Sequence, residues 1–159
     1  MRRAARWLVL WVLMLAATSA TARETAIGQA TDFAADARVV LSARIPILVL
    51  YSTPGCPYCE AIRRSHLRTL ELARPAQVIV RQVDLQSDAT LIDFDGTKKT
   101  HADFALANKI KFAPTVVLYD AKGRALAPAL VGAMLPDFYG QYLDDAIKSA
   151  TAPLAPTKK

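Results

Sequence analysis

Ile47-Leu48-Val49-Leu50-Tyr51-Ser52-Thr53-Pro54-Gly55-Cys56-Pro57-Tyr58-Cys59 joins an apolar run to a pair of cysteines, and the rest of the chain is arranged outward from it. Ile47 to Tyr51 is continuous and of strand length, the pattern of a strand covered on both faces. Ser52 to Gly55 break that run and deliver two cysteines, the only two in 159 residues. Pro57 suits the first position of a helix, where a missing N–H is no loss. Glu60 to Leu72 continues as a helix-compatible run. Two thiols at this spacing, where a strand gives way to a helix, can cycle between dithiol and disulfide. A static bridge here would close a tiny loop and constrain the unfolded chain very little, which weakens the reading of a structural staple.

Upstream, Thr31 or Asp32 can cap a helix whose apolar positions are Phe33, Ala37, Val40 and Leu41, ending near Arg44 before Pro46. The helix after Cys59 places Ala61, Ile62, Leu67, Leu70 and Leu72 on its apolar side and stops at Pro75. Val78 to Val83 is a second strand, joined to the first by a helical crossover and hence parallel to it. Leu91 to Gly96 alternates and then turns, as a short strand or hairpin. Thr100 and Asp103 resemble a capping box ahead of a helix that carries Phe104, Leu106, Ala107 and Ile110.

Pro114 opens a strand at Thr115 to Tyr119. Asp120-Ala121-Lys122-Gly123 turns it back into a partner strand, Ala125 to Val131, which Gly132 ends. A last helix starts at Pro136 with Phe138, Tyr142, Leu143 and Ile147 on one face. Tyr51 and Phe112 read as core residues, and His66 and His101 as residues of solvated helix faces. The order of elements gives an α/β domain with a mixed central sheet covered by helices on both faces.

The N-terminus has the pattern of an export signal. Arg2, Arg3 and Arg6 precede an apolar run from Trp7 to Ala17, and Ala20-Thr21-Ala22 offers small residues where a signal peptidase reads. The run is shorter than the ~20 residues a bilayer span needs, so cleavage is expected rather than a retained anchor. The expected organisation is a signal peptide at 1–22, a lead-in at 23–30, one domain at 31–149 and a flexible tail at 150–159. Part of the formal charge of +6 therefore belongs to the signal. The remaining charges are scattered without interleaved aromatics, which excludes an inference of nucleic-acid binding.

Zinc is disfavoured as the purpose of the cysteines. His66 lies seven residues beyond Cys59 on the same helix, ~10 Å along its axis. Covalent haem attachment needs a histidine directly after the second cysteine, where this chain has Glu60. No metal or other cofactor is expected beyond a redox-active Cys56–Cys59 disulfide.

Cys56-Pro57-Tyr58-Cys59 after a strand, Ala113-Pro114-Thr115 before the hairpin and Gly132 after it make the chain resemble the thioredoxin-fold superfamily over residues 32–148. Pro-Tyr between the cysteines is typical of glutaredoxins. The signal, the hairpin at Asp120 to Gly123, the Asp93-Phe94-Asp95-Gly96 segment and the stretch Pro54 to Cys59 are more similar to secreted bacterial thioredoxin-related proteins, including those associated with periplasmic sulfur oxidation (Sox). The resemblance implies a thioredoxin-like three-layer α/β/α sandwich and a periplasmic thiol–disulfide oxidoreductase. It implies that Cys56 attacks and Cys59 resolves, an order that the helix N-terminus at Cys56 favours independently.

The resemblance further implies a cis bond before Pro114 and pairing of Ala113 with an extended substrate segment. Gly132 completes the rim of that groove, and Pro57 and Tyr58 form its exposed side. One position departs from the pattern: where thioredoxins bury an acid six residues before the first cysteine, this chain has Leu50. The expected partners are protein thiols and disulfides together with a membrane or periplasmic electron donor, and the expected state is a monomer. Reduction of partner proteins is the first reading. A periplasmic disulfide oxidase or isomerase, or a redox-regulated binding or chaperone module without turnover, are the alternatives.

Overall fold

A computed structural model describes residues 26–133 and 136–155 of the chain. The signal peptide expected at 1–22 lies outside the described residues. Strand β1 (Ile47–Ser52) is buried at all six positions. It lies between β2 (Ile79–Asp84), to which it is parallel, and β5 (Thr115–Tyr119), to which it is antiparallel. A short β6 (Leu130–Val131) pairs antiparallel with β5 and gives the order β2-β1-β5-β6. Burial of β1 from both sides explains its unbroken apolar run.

Alternation along the strands divides the core in two. Leu48, Leu50, Val80, Val116 and Leu118 point to one face. There they meet Ile62 and Leu67 of helix α2, which runs Pro57–Ile62, a π-helical turn Arg63–Leu67 and then Arg68–Leu72. Leu143 and Ile147 of a C-terminal helix, Tyr139–Thr151, close the same face. On the other face, Ile47, Val49, Tyr51, Val117 and Tyr119 meet Phe33 and Val40 of α1 (Phe33–Ala43) and Phe104 of α3 (His101–Ala107). The C-terminal helix is α4. The result is the three-layer α/β/α sandwich with a mixed sheet that the sequence predicts. A hairpin of β3 (Thr90–Ile92) and β4 (Lys98–Thr100) forms a second, two-stranded sheet.

Local chemistry sets the helix starts. Asp32 caps α1 by accepting from the Ala35 N–H at 2.7 Å, and Arg44 ends it in left-handed geometry. Thr100 caps α3 by accepting from the Asp103 N–H at 3.0 Å. At the β5 hairpin, burial works against the Asp120 carboxylate. N–H groups of Arg124 and Lys122 and the Arg124 guanidinium overcome it and hold the Asp120 pKa below the usual value.

Several helix faces differ from their periodic reading. In α1 the buried set is Phe33, Asp36, Ala37 and Val40, while Leu41 is exposed. Asp36 takes an inward position because Arg81 of β2 grips it with bonds of 2.8 and 2.6 Å. In α2, Ala61 before the π turn and Leu72 beyond it are both exposed, while Leu70 still packs against the core. α3 buries His101, Phe104 and Ala105 and leaves Leu106 and Ala107 outside. α4 buries Tyr139, Leu143, Ala146, Ile147 and Ala150, with Phe138 and Tyr142 exposed.

The expected partner strand at Ala125 to Val131 shrinks to Leu130–Val131, preceded by one bond from the Leu126 N–H to the Leu118 carbonyl. Pro128 lies between and has no N–H to give the ladder. α4 continues to Thr151, and a 3₁₀ turn at Ala152–Leu154 follows, so irregular structure does not begin at residue 150.

His101 is the largest correction. Instead of facing solvent it is 3% exposed. Its Nδ1 accepts from the Asp84 N–H at 3.1 Å, which leaves Nε2–H to donate to the Ala30 carbonyl at 2.9 Å. It thereby ties the lead-in to the end of β2. The Ala30 N–H donates to the Gln82 carbonyl, and the Gln82 N–H to the Gly28 carbonyl, both at 2.8 Å, so this segment docks like a short extra strand. His101→Leu leaves the buried Ala30 carbonyl and the half-buried Asp84 N–H without their side-chain partner. The expected loss is about 1–3 kcal/mol of unfolding free energy, measured by urea denaturation.

Tyr51 and Tyr119 share a buried hydrogen bond of 2.7 Å between their hydroxyls, and Tyr119 donates to Asn108 Oδ1 at 3.4 Å. Burial, aided by the charge of Asp93, pushes the Tyr119 phenol up to about 12 from its ordinary 10.0, although the Tyr51 hydrogen bond opposes this. A raised phenol stabilises the native state fully below the unfolded value and loses that contribution as pH climbs through the folded one. Stability should therefore fall between pH 10.0 and about 12, and Tyr119→Phe should flatten part of that slope in denaturant titrations across the window.

Candidate redox site at the end of the sheet

β1 stops at Ser52 and the chain turns through Thr53–Gly55, Gly55 having φ +68°. Cys56 then caps α2, with Pro57 as the first helical residue. Cys56 Sγ accepts from the Cys59 N–H at 3.1 Å, and the Cys56 carbonyl accepts from the Glu60 N–H at 3.1 Å. The sulfur thus sits where the free N–H groups of the first turn favour negative charge. Cys56 and Cys59 are joined as a disulfide. Cys56 is half-buried and Cys59 fully buried. One turn of helix separates an accessible sulfur from an enclosed one.

Strand register brings the remaining candidates to the same end. Tyr51 stands opposite Thr115, so the loop leaving β1 faces the residues entering β5. Those residues are Ala113 and Pro114, joined by a cis peptide bond, with Pro114 buried and Ala113 half-buried. Thr115 stands opposite Val131, and the Gly132 N–H donates to the Pro114 carbonyl at 2.8 Å. Gly132 has φ +77°, a region that side chains with a Cβ rarely occupy. Pairing of β5 with β6 begins only at Thr115, so Ala113 lies just outside the ladder. Pro57 and Tyr58 are exposed, Tyr58 by 62%.

Phe112 does not join the core. It is 68% exposed beside Ala113 and lines a cleft of about 550 Å³ with Leu106, Ile110, Thr53 and Leu85. The other residue missed in the sequence is Arg63, which belongs to the polar face by period. It lies four residues after Cys59 and therefore on the same side of the helix. Its guanidinium reaches Ser52 Oγ at 3.1 Å and Gln82 Oε1 at 2.8 Å, at the end of β1 and on β2. Leu50, at the position where an acid was absent from the sequence, is completely buried and stands opposite Gln82.

Residues 33–147 match a family model described as a thioredoxin-like domain. Mitochondrial thioredoxin 3 from Saccharomyces cerevisiae, in its oxidised form, superposes with a TM-score of 0.50 at 20% identity, over 79% of this chain and 96% of that one. Fasciola hepatica thioredoxin gives a TM-score of 0.50 at 18% identity, over 77% of this chain and 97% of that one. The periplasmic thioredoxin SoxS from Paracoccus pantotrophus, in its reduced form, is a looser likeness, with a TM-score of 0.44 at 20% identity over 66% of this chain and 98% of that one. No curated protein sequence matches significantly.

The unequal exposure of the two sulfurs has a direct readout. After reduction, brief alkylation at neutral pH should modify Cys56, while Cys59 reacts only once the protein is denatured. Peptide mass mapping checks the order, and equal labelling of both would contradict it.

Proposed function

The chain belongs to the thioredoxin-like family of thiol–disulfide oxidoreductases, and on that premise we propose that it reduces disulfides of partner proteins in the periplasm. The observation that carries this reading is the Cys56–Cys59 disulfide at a helix N-terminus, with cis-Pro114 brought to the same end of the sheet by register. The reduced Cys56 thiolate attacks a substrate disulfide and forms a mixed disulfide, releasing one substrate thiol. Cys59 then attacks Cys56 Sγ, the substrate leaves as its second thiol, and the Cys56–Cys59 bond closes. Two electrons pass from the pair to the substrate, and a membrane or periplasmic donor restores the dithiol. No metal or organic cofactor enters this cycle.

Ala113, outside the β5 ladder, offers its backbone to an extended segment of the substrate, as in β-augmentation. Gly132 and Tyr58 border that segment, and Pro57 holds the first turn of α2 in place below it. Phe112 adds an apolar contact surface. A periplasmic location is supported by Arg2, Arg3 and Arg6, the apolar run Trp7 to Ala17 and the Ala20-Thr21-Ala22 site. The protein is proposed to work as a monomer, since one chain supplies both thiols and the groove.

The test is insulin reduction by the mature protein, together with redox equilibration against glutathione. The expected potential lies between about −200 and −270 mV, and a value near about −120 mV would make the protein an oxidase instead. Cys56→Ser should abolish turnover. Cys59→Ser should accumulate a substrate linked to Cys56 that a reductant releases. Retention of full biological activity by Cys56→Ser would show a binding module rather than an enzyme.

A further inference from the structure

The Cys59 thiol must lose its proton before it can resolve the mixed disulfide, yet it is fully buried, and β1 carries the buried Leu50 six residues before Cys56. Arg63 is the cation closest in chain position to Cys59, and its side chain is only 15% exposed. Its backbone N–H bonds to the Cys59 carbonyl, and its side chain leaves the same face of α2. Nε and Nη2 both donate to Glu60 Oε2, at 3.1 and 3.0 Å. Nη1 is turned the other way and meets only neutral acceptors, Ser52 Oγ and Gln82 Oε1. The outer edge of the guanidinium is therefore paired with a carboxylate, and the inner edge hydrogen-bonds to uncharged groups. Beside this group is a cleft of about 240 Å³ between the loop before Cys56 and the first turn after Cys59, roomy and polar enough to hold water.

The other charged groups near this end are differently engaged. Arg64 of α2 is 68% exposed and lies outward, at 3.5 Å from Glu60. Asp84 of β2 borders the cleft, and its Oδ1 accepts from the Gln86 N–H at 2.9 Å. Arg81 of β2 turns to Asp36, and His101 of α3 takes the Asp84 backbone N–H. The lead-in contributes Ala26, Ile27 and Gln29 to the cleft and no charge. From α4, Tyr139 packs on His66, with ring centres 5.4 Å apart.

We propose that Arg63 is a positioning residue for the resolving step, its inward guanidinium edge stabilising the Cys59 thiolate while Glu60 holds the cation in place and tempers its charge. This deepens the reductase reading and rests on it. In the step itself the Cys59 S–H proton passes to solvent. The thiolate attacks Cys56 Sγ, the Cys56–substrate S–S bond breaks as the Cys56–Cys59 bond forms, and the departing substrate thiolate takes a proton from solvent.

The test uses a Cys56→Ser background, in which Cys59 is the sole thiol, and follows its thiolate by ultraviolet absorbance against pH. Arg63→Gln should leave about three- to tenfold less thiolate at a given pH below the midpoint. Glu60→Gln, which unmasks the cation, should raise the thiolate fraction, and Arg63→Lys should keep most of the original value. Urea denaturation confirms that each variant is folded. Shifts in the same direction for Arg63→Gln and Glu60→Gln, no shift in either, or an Arg63→Lys variant that behaves like Arg63→Gln, would reduce Arg63 to a staple between helix and sheet and overturn the proposal. The titration needs no substrate. A protein that titrates as expected but fails to reduce insulin refutes the reductase reading alone, and one that reduces insulin with an unmoved titration refutes this inference alone.

Discussion

Everything at the redox site depends on the complete burial of β1. Its residues from Ile47 to Ser52 are paired on both edges and covered on both faces, so the strand has little freedom to shift. A one-residue slip would exchange Leu48 and Leu50 with Val49 and Tyr51 between the two halves of the core. The register also determines what stands around the end of the strand. Ser52 pairs with Asp84, and Tyr51 with both Val83 and Thr115. The cysteine loop, the end of β2 and the cis-Pro114 entry to β5 are therefore carried to one place by the same set of backbone hydrogen bonds. Aromatic stacking reinforces the lower half, where Phe33 and Phe104 lie 4.8 Å apart and Tyr51 packs beside them.

Mobile chemistry is built on this fixed end by the first turn of α2. Cys56 serves as the cap, so its sulfur already accepts the N–H that a serine or aspartate would take in an ordinary helix. Three residues later the helix has turned Cys59 into the core. The cap therefore leaves one sulfur accessible and the turn encloses the other, the arrangement on which the proposed order of attack and resolution rests. Within the π turn that follows, Arg63–Leu67, Leu67 is buried and Arg63 reaches the sheet. Arg63 can then span from Glu60 to Ser52 and Gln82, linking α2, β1 and β2 at the point where the chemistry occurs.

The parts of this fold that were legible in the sequence are those set by nearest-neighbour rules. The run at Ile47 to Tyr51, the cap at Asp32, the stop before Pro46, the Thr100 cap and the Asp120 to Gly123 turn each follow from local chemistry. The cysteine pair, Pro114 and Gly132 were legible as a pattern, and register alone shows that they converge. What failed were choices of face. Leu41, Leu106, Phe138 and Tyr142 have the right apolarity for a core, but helical spacing fits two neighbouring stripes almost equally well. Tertiary partners decide between them: Arg81 draws Asp36 inward, and the backbone groups of Asp84 and Ala30 draw His101 inward. Such partners are 17 to 71 residues distant in sequence and leave no local trace.

The same limit explains Phe112, and its exposure is informative in turn. An apolar residue before a buried proline reads as core, yet Thr115 Oγ1 donates to the Phe112 carbonyl at 2.7 Å and turns the segment so that its side chain faces out. Phe112, Leu106, Tyr58 and Val131 are all more than half exposed. Single apolar residues on a surface are ordinary. Three of these four, however, belong to the segments that bring the cysteines, the proline and the glycine together, and Leu106 shares the Phe112 cleft. On the proposed mechanism, a substrate disulfide reaching Cys56 brings its own flanking chain across this ground. The polar cleft around Arg63, Glu60, Gln82 and Asp84 adjoins it, with Thr53 lining both. On the proposed reading a substrate protein docks over the first, and the second stays open to water beside the cysteine loop.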